Sequence, residues 1–168
     1  MAPRPLELIP PRFVLMFSAV YPLLMASLGV LNILLAEENE EDIRAFTRAQ
    51  ASFLIESYAE IARDGEEAMR LLRKPRGLRR FDKPIFHMIF LDTYLPKISG
   101  FQILHEIRRD PYLRYTPVIM LAGNHDGDTI VRCYEERANC CLPKPVTPAD
   151  FNQVAGALLT HEFYRNAA

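Results

Sequence analysis

Four side chains of the right kind for phosphoryl chemistry stand just after apolar runs. Asp92 ends Met88 to Leu91 and leads into a Leu95-Pro96 turn, while Glu37 and Glu38 follow the apolar stretch Val30 to Ala36. Lys144 sits between Pro143 and Pro145, after the short stretch Asn139 to Leu142. Carboxylates brought close together resist joint ionisation unless a cation compensates. Mg²⁺, a hard ion that takes oxygen ligands and keeps several waters, is the natural candidate. A lysine ammonium adds an opposing point charge for a phosphate. Together these are the parts needed to form an aspartyl phosphate, with a carboxylate as nucleophile and cations holding the phosphoryl oxygens.

The elements that would bring them together follow from the hydrophobic pattern. Met88 to Asp92 is a continuous apolar run, as in a strand buried on both faces of a parallel sheet. Val30 to Ala36, Ser57 to Ala62, Pro117 to Leu121 and Asn139 to Leu142 supply four more strands. Between them, apolar residues recur at helical spacing: Ile43, Phe46, Ala49 and Phe53; Ala68, Leu71 and Leu72; Phe101, Leu104 and Ile107; Ile130, Cys133 and Tyr134. A last helix starts at Thr147-Pro148-Ala149-Asp150 and buries Phe151, Val154, Ala155 and Leu158. Strands alternating with helices give an α/β fold, a doubly wound, flavodoxin-like parallel sheet of order 2-1-3-4-5 with helices on both faces. In that order the first and third strands are neighbours, so Glu37, Glu38 and Asp92 meet at the carboxyl edge, joined by Ala122 and Lys144. The acidic residues Glu40 to Asp42 read as complements to a helix macrodipole.

The 168 residues fit one domain over 29–160, with an apolar extension 1–28 before it and a tail 161–168 after it. A net charge of -1 gives no pull toward nucleic acid, and the basic run Arg73 to Arg80 reads as a solvated loop. Three cysteines, Cys133, Cys140 and Cys141, suit a reducing cytoplasm as buried thiols rather than a disulfide framework or metal site. Phe13 to Leu31 carries no charge and is long enough for a membrane span. A membrane anchor and a cleaved signal stay open beside the favoured reading, a non-native upstream extension with the functional start at Met25.

ILLAEENEED, RDGEEA, IFLDTYLPKISG, PVIMLAGN and CLPKPV occur in that order, over about Leu31 to Leu159. The ordered set resembles the receiver domain of two-component response regulators, especially small receivers that partner phytochrome-like histidine kinases. The resemblance implies that Asp92 is the phospho-acceptor and Lys144 the phosphate-binding lysine, with a cis Lys144-Pro145 bond. It implies a Mg²⁺ held directly by Glu38, Asp92 and the Tyr94 carbonyl and through water by Glu37. The partner would be a histidine kinase or phosphotransfer protein, and a homodimer through the last helix stays open. Three positions depart from the family pattern. Glu38 stands for the usual Asp, Ala122 for the Ser or Thr whose hydroxyl holds the phosphoryl group, and Cys141 for the switch aromatic. A phosphate-independent pseudo-receiver that only binds a protein partner is therefore the alternative. Gly123 to Asp126 (GNHD) also resembles a metallophosphoesterase signature. The other motifs of that family are missing, so His125 and Asp126 are expected to cap the fourth helix and rim the crevice.

Overall fold

The structure, a computed structural model, describes residues 30–73, 86–123 and 127–167, the last stretch with side chains as far as 157. The apolar extension, the basic run beyond Arg73 and His125 with Asp126 lie outside the described residues. Five parallel strands, β1 (Leu31–Ala36), β2 (Ser57–Ala62), β3 (Met88–Asp92), β4 (Val118–Ala122) and β5 (Cys140–Pro143), form one sheet in the order β2-β1-β3-β4-β5. Five helices alternate with them: α1 (Glu40–Ala51), α2 (Gly65–Leu72), α3 (Gly100–Arg109), α4 (Gly127–Glu135) and α5 (Pro148–Ala167). The doubly wound α/β fold expected from the alternation is thus the fold observed. The last helix continues through 161–167. No helix of the described residues is long and apolar enough to cross a membrane.

Strand periodicity sorts the core into two layers. Leu34 and Ala36 of β1 join Ile89 and Leu91 of β3 on one face, where they meet Leu71 of α2, Leu104 of α3 and Cys133 of α4. Leu31, Ile33 and Leu35 join Met88 and Phe90 on the other, against Phe46 of α1 and Phe151 of α5. Three rings lock that second layer: Phe46 packs edge-on to Phe90 at 4.8 Å and to Phe151 at 5.4 Å, and Phe90 stacks on Phe151 at 5.6 Å. Such pairs add about 0.5–1.5 kcal/mol each beyond the area they bury. They anchor α1 and α5 to the middle of the sheet, and so hold the chain on either side of the site.

Local capping fixes where four of the helices begin. The Asn39 side chain accepts from the Glu41 and Asp42 amides, Asp64 accepts from Glu67, and Ser99 with Gln102 forms a reciprocal capping box. Thr147 and Asp150 bond each other's backbone amides in the same manner at α5. The strands β1, β2 and β5 thus hand over to their helices within a few residues of the carboxyl edge.

The opposite edge is tied by Arg108. Its guanidinium donates to the carbonyls of Arg137 (2.8 Å), Thr116 (3.0 Å) and Arg114 (3.2 Å) and to Asn139 Oδ1 (2.9 Å). Burial, with Arg137 nearby, lowers its pKa, but an arginine stays charged. Arg108→Ala is expected to cost roughly 2 kcal/mol, since hydrogen bonds from a charged donor contribute about 1.5–3 kcal/mol and the freed carbonyls are partly rehydrated. Thermal denaturation should show a midpoint lowered by about 4–8 °C. Arg108→Lys, which keeps the charge but not the fork, should recover only part of it; full recovery would refute the geometric account.

Candidate functional site

β1 and β3 are hydrogen-bonded neighbours, with Ala36 opposite Leu91, so the residues that follow them share one edge. Glu37 is 1% exposed and Asp92 4% exposed, although both are acidic. What makes their burial tolerable is Lys144, brought over from the end of β5. Its Nζ lies 2.7 Å from Asp92 Oδ2 and 2.9 Å from Glu37 Oε2. The Lys144 amide donates to the Ala122 carbonyl at 3.2 Å, tying the strand end that carries the ammonium to the end of β4. The Lys144-Pro145 bond is cis, as the resemblance implied.

Each carboxylate is also held by its second oxygen. Glu37 Oε1 accepts from the Asn39 amide at 2.9 Å, and Asp92 Oδ1 accepts from the Tyr94 amide at 3.0 Å. Burial raises the Glu37 pKa, and the like charge of Asp92 adds to this; the Asn39 amide and Lys144 pull against it. Burial by itself would lower the Lys144 pKa. Its hydrogen bonds to Asp92 and Glu37 more than reverse that, so the ammonium is held well above the ordinary lysine value.

Asp42 is the residue that sequence reasoning missed. Its Oδ2 lies 3.1 Å from Lys144 Nζ. The acidic first turn of α1 does suit the helix macrodipole, and Glu40 pairs outward with Arg63 at 2.7 Å. Asp42, however, occupies the third helical position after the Asn39 cap, and helical side chains lean back toward the helix N-terminus. That lean carries its carboxylate over the strand edge. The available signal was position relative to the cap, which singles out one acid of the three.

Of the other expected site residues, the structure places Glu38 at the surface, directly after the buried Glu37. Tyr94 is 74% exposed, with its backbone beside Asp92. Ala122 is fully buried at the end of β4 and offers only a methyl group where a hydroxyl would be needed to bond an anion. Cys141 is buried one strand over, its Sγ 3.1 Å from that of Cys133. Among the described residues no three His, Cys, Asp or Glu side chains close into a metal-holding group. The Lys144 ammonium stands instead among Glu37, Asp42 and Asp92. The donor chemistry nevertheless suits a hard cation: three carboxylates face a single ammonium, and all of them offer oxygen.

Comparison with known proteins places the arrangement in context. A family profile described as response regulator receiver domain matches residues 33–155. Response regulator Rcp1 of Synechocystis sp. is 34% identical over 125 residues, covering 74% of this chain and 84% of Rcp1. A crystal structure of the Mn²⁺-bound form of Rcp1 superposes with a TM-score of 0.60 at 32% identity, covering 75% of this chain and 90% of that one. The phosphorylated cyanobacterial phytochrome response regulator RcpA superposes with a TM-score of 0.62 at 31% identity, covering 83% of this chain and 97% of that one.

Proposed function

The chain belongs to the response regulator receiver domain family, and from that premise we propose that Asp92 accepts a phosphoryl group from a phosphohistidine of a histidine kinase or phosphotransfer protein. The observation that carries this reading is the buried Asp92 carboxylate held 2.7 Å from an ammonium and presented at the carboxyl edge of the sheet. Oδ2 attacks phosphorus as the bond from phosphorus to the histidine nitrogen breaks, and the imidazole leaves with the bonding pair. The Tyr94 amide keeps Oδ1 in place meanwhile, so the nucleophile is already oriented. Lys144 then passes from Oδ2 to a phosphoryl oxygen, following the new charge. The whole is a signalling reaction on the protein's own side chain, with no separate substrate turned over.

A divalent cation such as Mg²⁺ would be held directly by Glu38, Asp92 and the Tyr94 carbonyl and through water by Glu37; bound there, it would neutralise the phosphoryl oxygens. Mn²⁺-bound Rcp1 and phosphorylated RcpA support both halves of this reading by similarity. RcpA is also the ground for expecting a kinase of the phytochrome-like type. The reaction belongs in the cytoplasm, where the three reduced thiols are at home.

Ala122 favours a restrained switch. Without a hydroxyl at the end of β4, the aspartyl phosphate lacks one hydrogen bond of about 1.5–3 kcal/mol that would draw the following loop inward. Phosphorylation therefore shifts the conformational balance less, by a factor of roughly 10 to 150. In the limit the chain would engage its partner irrespective of phosphate.

Intact-mass spectrometry after exposure to acetyl phosphate and Mg²⁺ tests the acceptor. A single phosphoryl adduct is expected on the wild type and none on Asp92→Ala. An unmodified wild type under saturating Mg²⁺ would reject phospho-acceptance and leave the phosphate-independent binding module.

A further inference from the structure

Cys133 projects from α4 and Cys141 from β5 into the same buried layer, with their sulfurs 3.1 Å apart. A disulfide bond is about 2.05 Å long, so the pair needs to close by only about 1 Å. The connection between them is short and already folded back. The Ala138 amide donates to the Cys133 carbonyl at 2.9 Å, and Arg137 turns the chain with a φ of 63°. Cys140, the strand neighbour of Cys141, packs instead against the layer on the opposite face of the sheet. Strand alternation thus keeps the third thiol out of the pair.

We propose that Cys133 and Cys141 are a redox modification site, a dithiol that a small hydroperoxide converts to an intramolecular disulfide. Cys141 keeps 7% of its residue surface and Cys133 none, so oxidation is assigned to begin at Cys141. With hydrogen peroxide as the hydroperoxide, the Cys141 sulfur attacks one peroxide oxygen, the O–O bond breaks, and Cys141 becomes a sulfenic acid as water leaves. The Cys133 sulfur then attacks that of Cys141, the S–O bond breaks, and a second water departs. Two thiols have given up two electrons to one peroxide. Burial raises the pKa of both thiols, which slows the first step. The product bolts α4 to the strand that carries Lys144 three residues further on. This site stands independently of whether Asp92 is phosphorylated.

The test is to treat the full chain with hydrogen peroxide, denature it, alkylate remaining thiols with N-ethylmaleimide, and map the peptides. The alkylated count is expected to fall from three to one, with Cys140 carrying the label and Cys133 joined to Cys141. Dithiothreitol should restore all three. Cys140→Ser, which leaves the buried pair intact, should still form the bond and should retain no alkylatable thiol. A link through Cys140, a bond between chains, or oxidation that leaves Cys133 and Cys141 both alkylatable would overturn the proposal.

Discussion

Lys144→Met should lower the stability of the protein by on the order of 3 kcal/mol, a drop in thermal midpoint of about 6–12 °C. Methionine keeps most of the apolar stem, so packing changes little and the loss isolates the ammonium. Glu37 and Asp92 are then left facing each other, both almost wholly buried, with their shared counter-ion gone. Removing one partner of a buried ionic group is costly because the other charges stay uncompensated. The pH dependence identifies the cause. In the wild type the Lys144 pKa is raised, so its stabilisation is complete below the ordinary lysine value and is lost as pH climbs through the folded-state value. In the variant, burial raises Glu37 with no lysine to oppose it, so the folded state resists its ionisation. The variant's deficit should therefore be largest near neutral pH and shrink as pH falls and Glu37 protonates. Adding Asp92→Asn should recover part of the loss by removing the like charge. Phosphoryl uptake by Lys144→Met should fall on the order of 100-fold, the scale of losing one charged donor to transferring oxygens. Equal midpoints at all pH values would show that the three carboxylates do not depend on this ammonium.

Why Asp92 and Lys144 stand out in the sequence, while Asp42 shows only as a position relative to a helix cap, comes down to which signals survive in one dimension. β3 and β4 are buried at every position, which writes a continuous apolar run into the chain. Once those runs are strands of a parallel sheet, the residues after them must share an edge; the order β2-β1-β3-β4-β5 then puts Glu37 beside Asp92, with Lys144 reaching over from the end of β5. Strand ends moved by a residue because hydrogen-bonded register decides them, as where Ala122 pairs with Pro143. Asp42 depends on the rotation of α1 about its axis, which Asn39 sets through two short hydrogen bonds. The capping box at Ser99 and Gln102 is a local pattern and was available in principle. The approach of Cys133 to Cys141 was not: alternation puts Cys140 and Cys141 on opposite faces, but nothing along the chain says how far α4 is turned toward them.

Gly100→Ala is the second large effect, and its sign opposes simple helix propensity. Gly100 is the first residue of α3, and within a helix alanine is favoured over glycine by up to about 1 kcal/mol. Here a Cβ would overlap the carbonyl oxygen of Asp92 and come within 3.2 Å of Met120 Cε. The methionine end can swing aside, but the backbone carbonyl cannot. Either α3 retreats from the end of β3, or the peptide at Asp92 turns, and overpacking of this kind costs about 1–3 kcal/mol. Both responses disturb the residue whose Oδ2 must stay at 2.7 Å from Lys144 Nζ and whose Oδ1 is held by the Tyr94 amide. A displacement of about 1 Å at a reacting group is enough to lower a rate on the order of 100-fold. Gly100→Ala should therefore melt earlier than the wild type and take up phosphate from acetyl phosphate far more slowly. Gln102→Ala, which removes half of the capping box two residues away, should lose about 1 kcal/mol yet leave uptake close to normal. A Gly100→Ala protein that gains stability and keeps its uptake rate would mean that α3 does not abut Asp92, and that the acceptor is positioned by β3 alone.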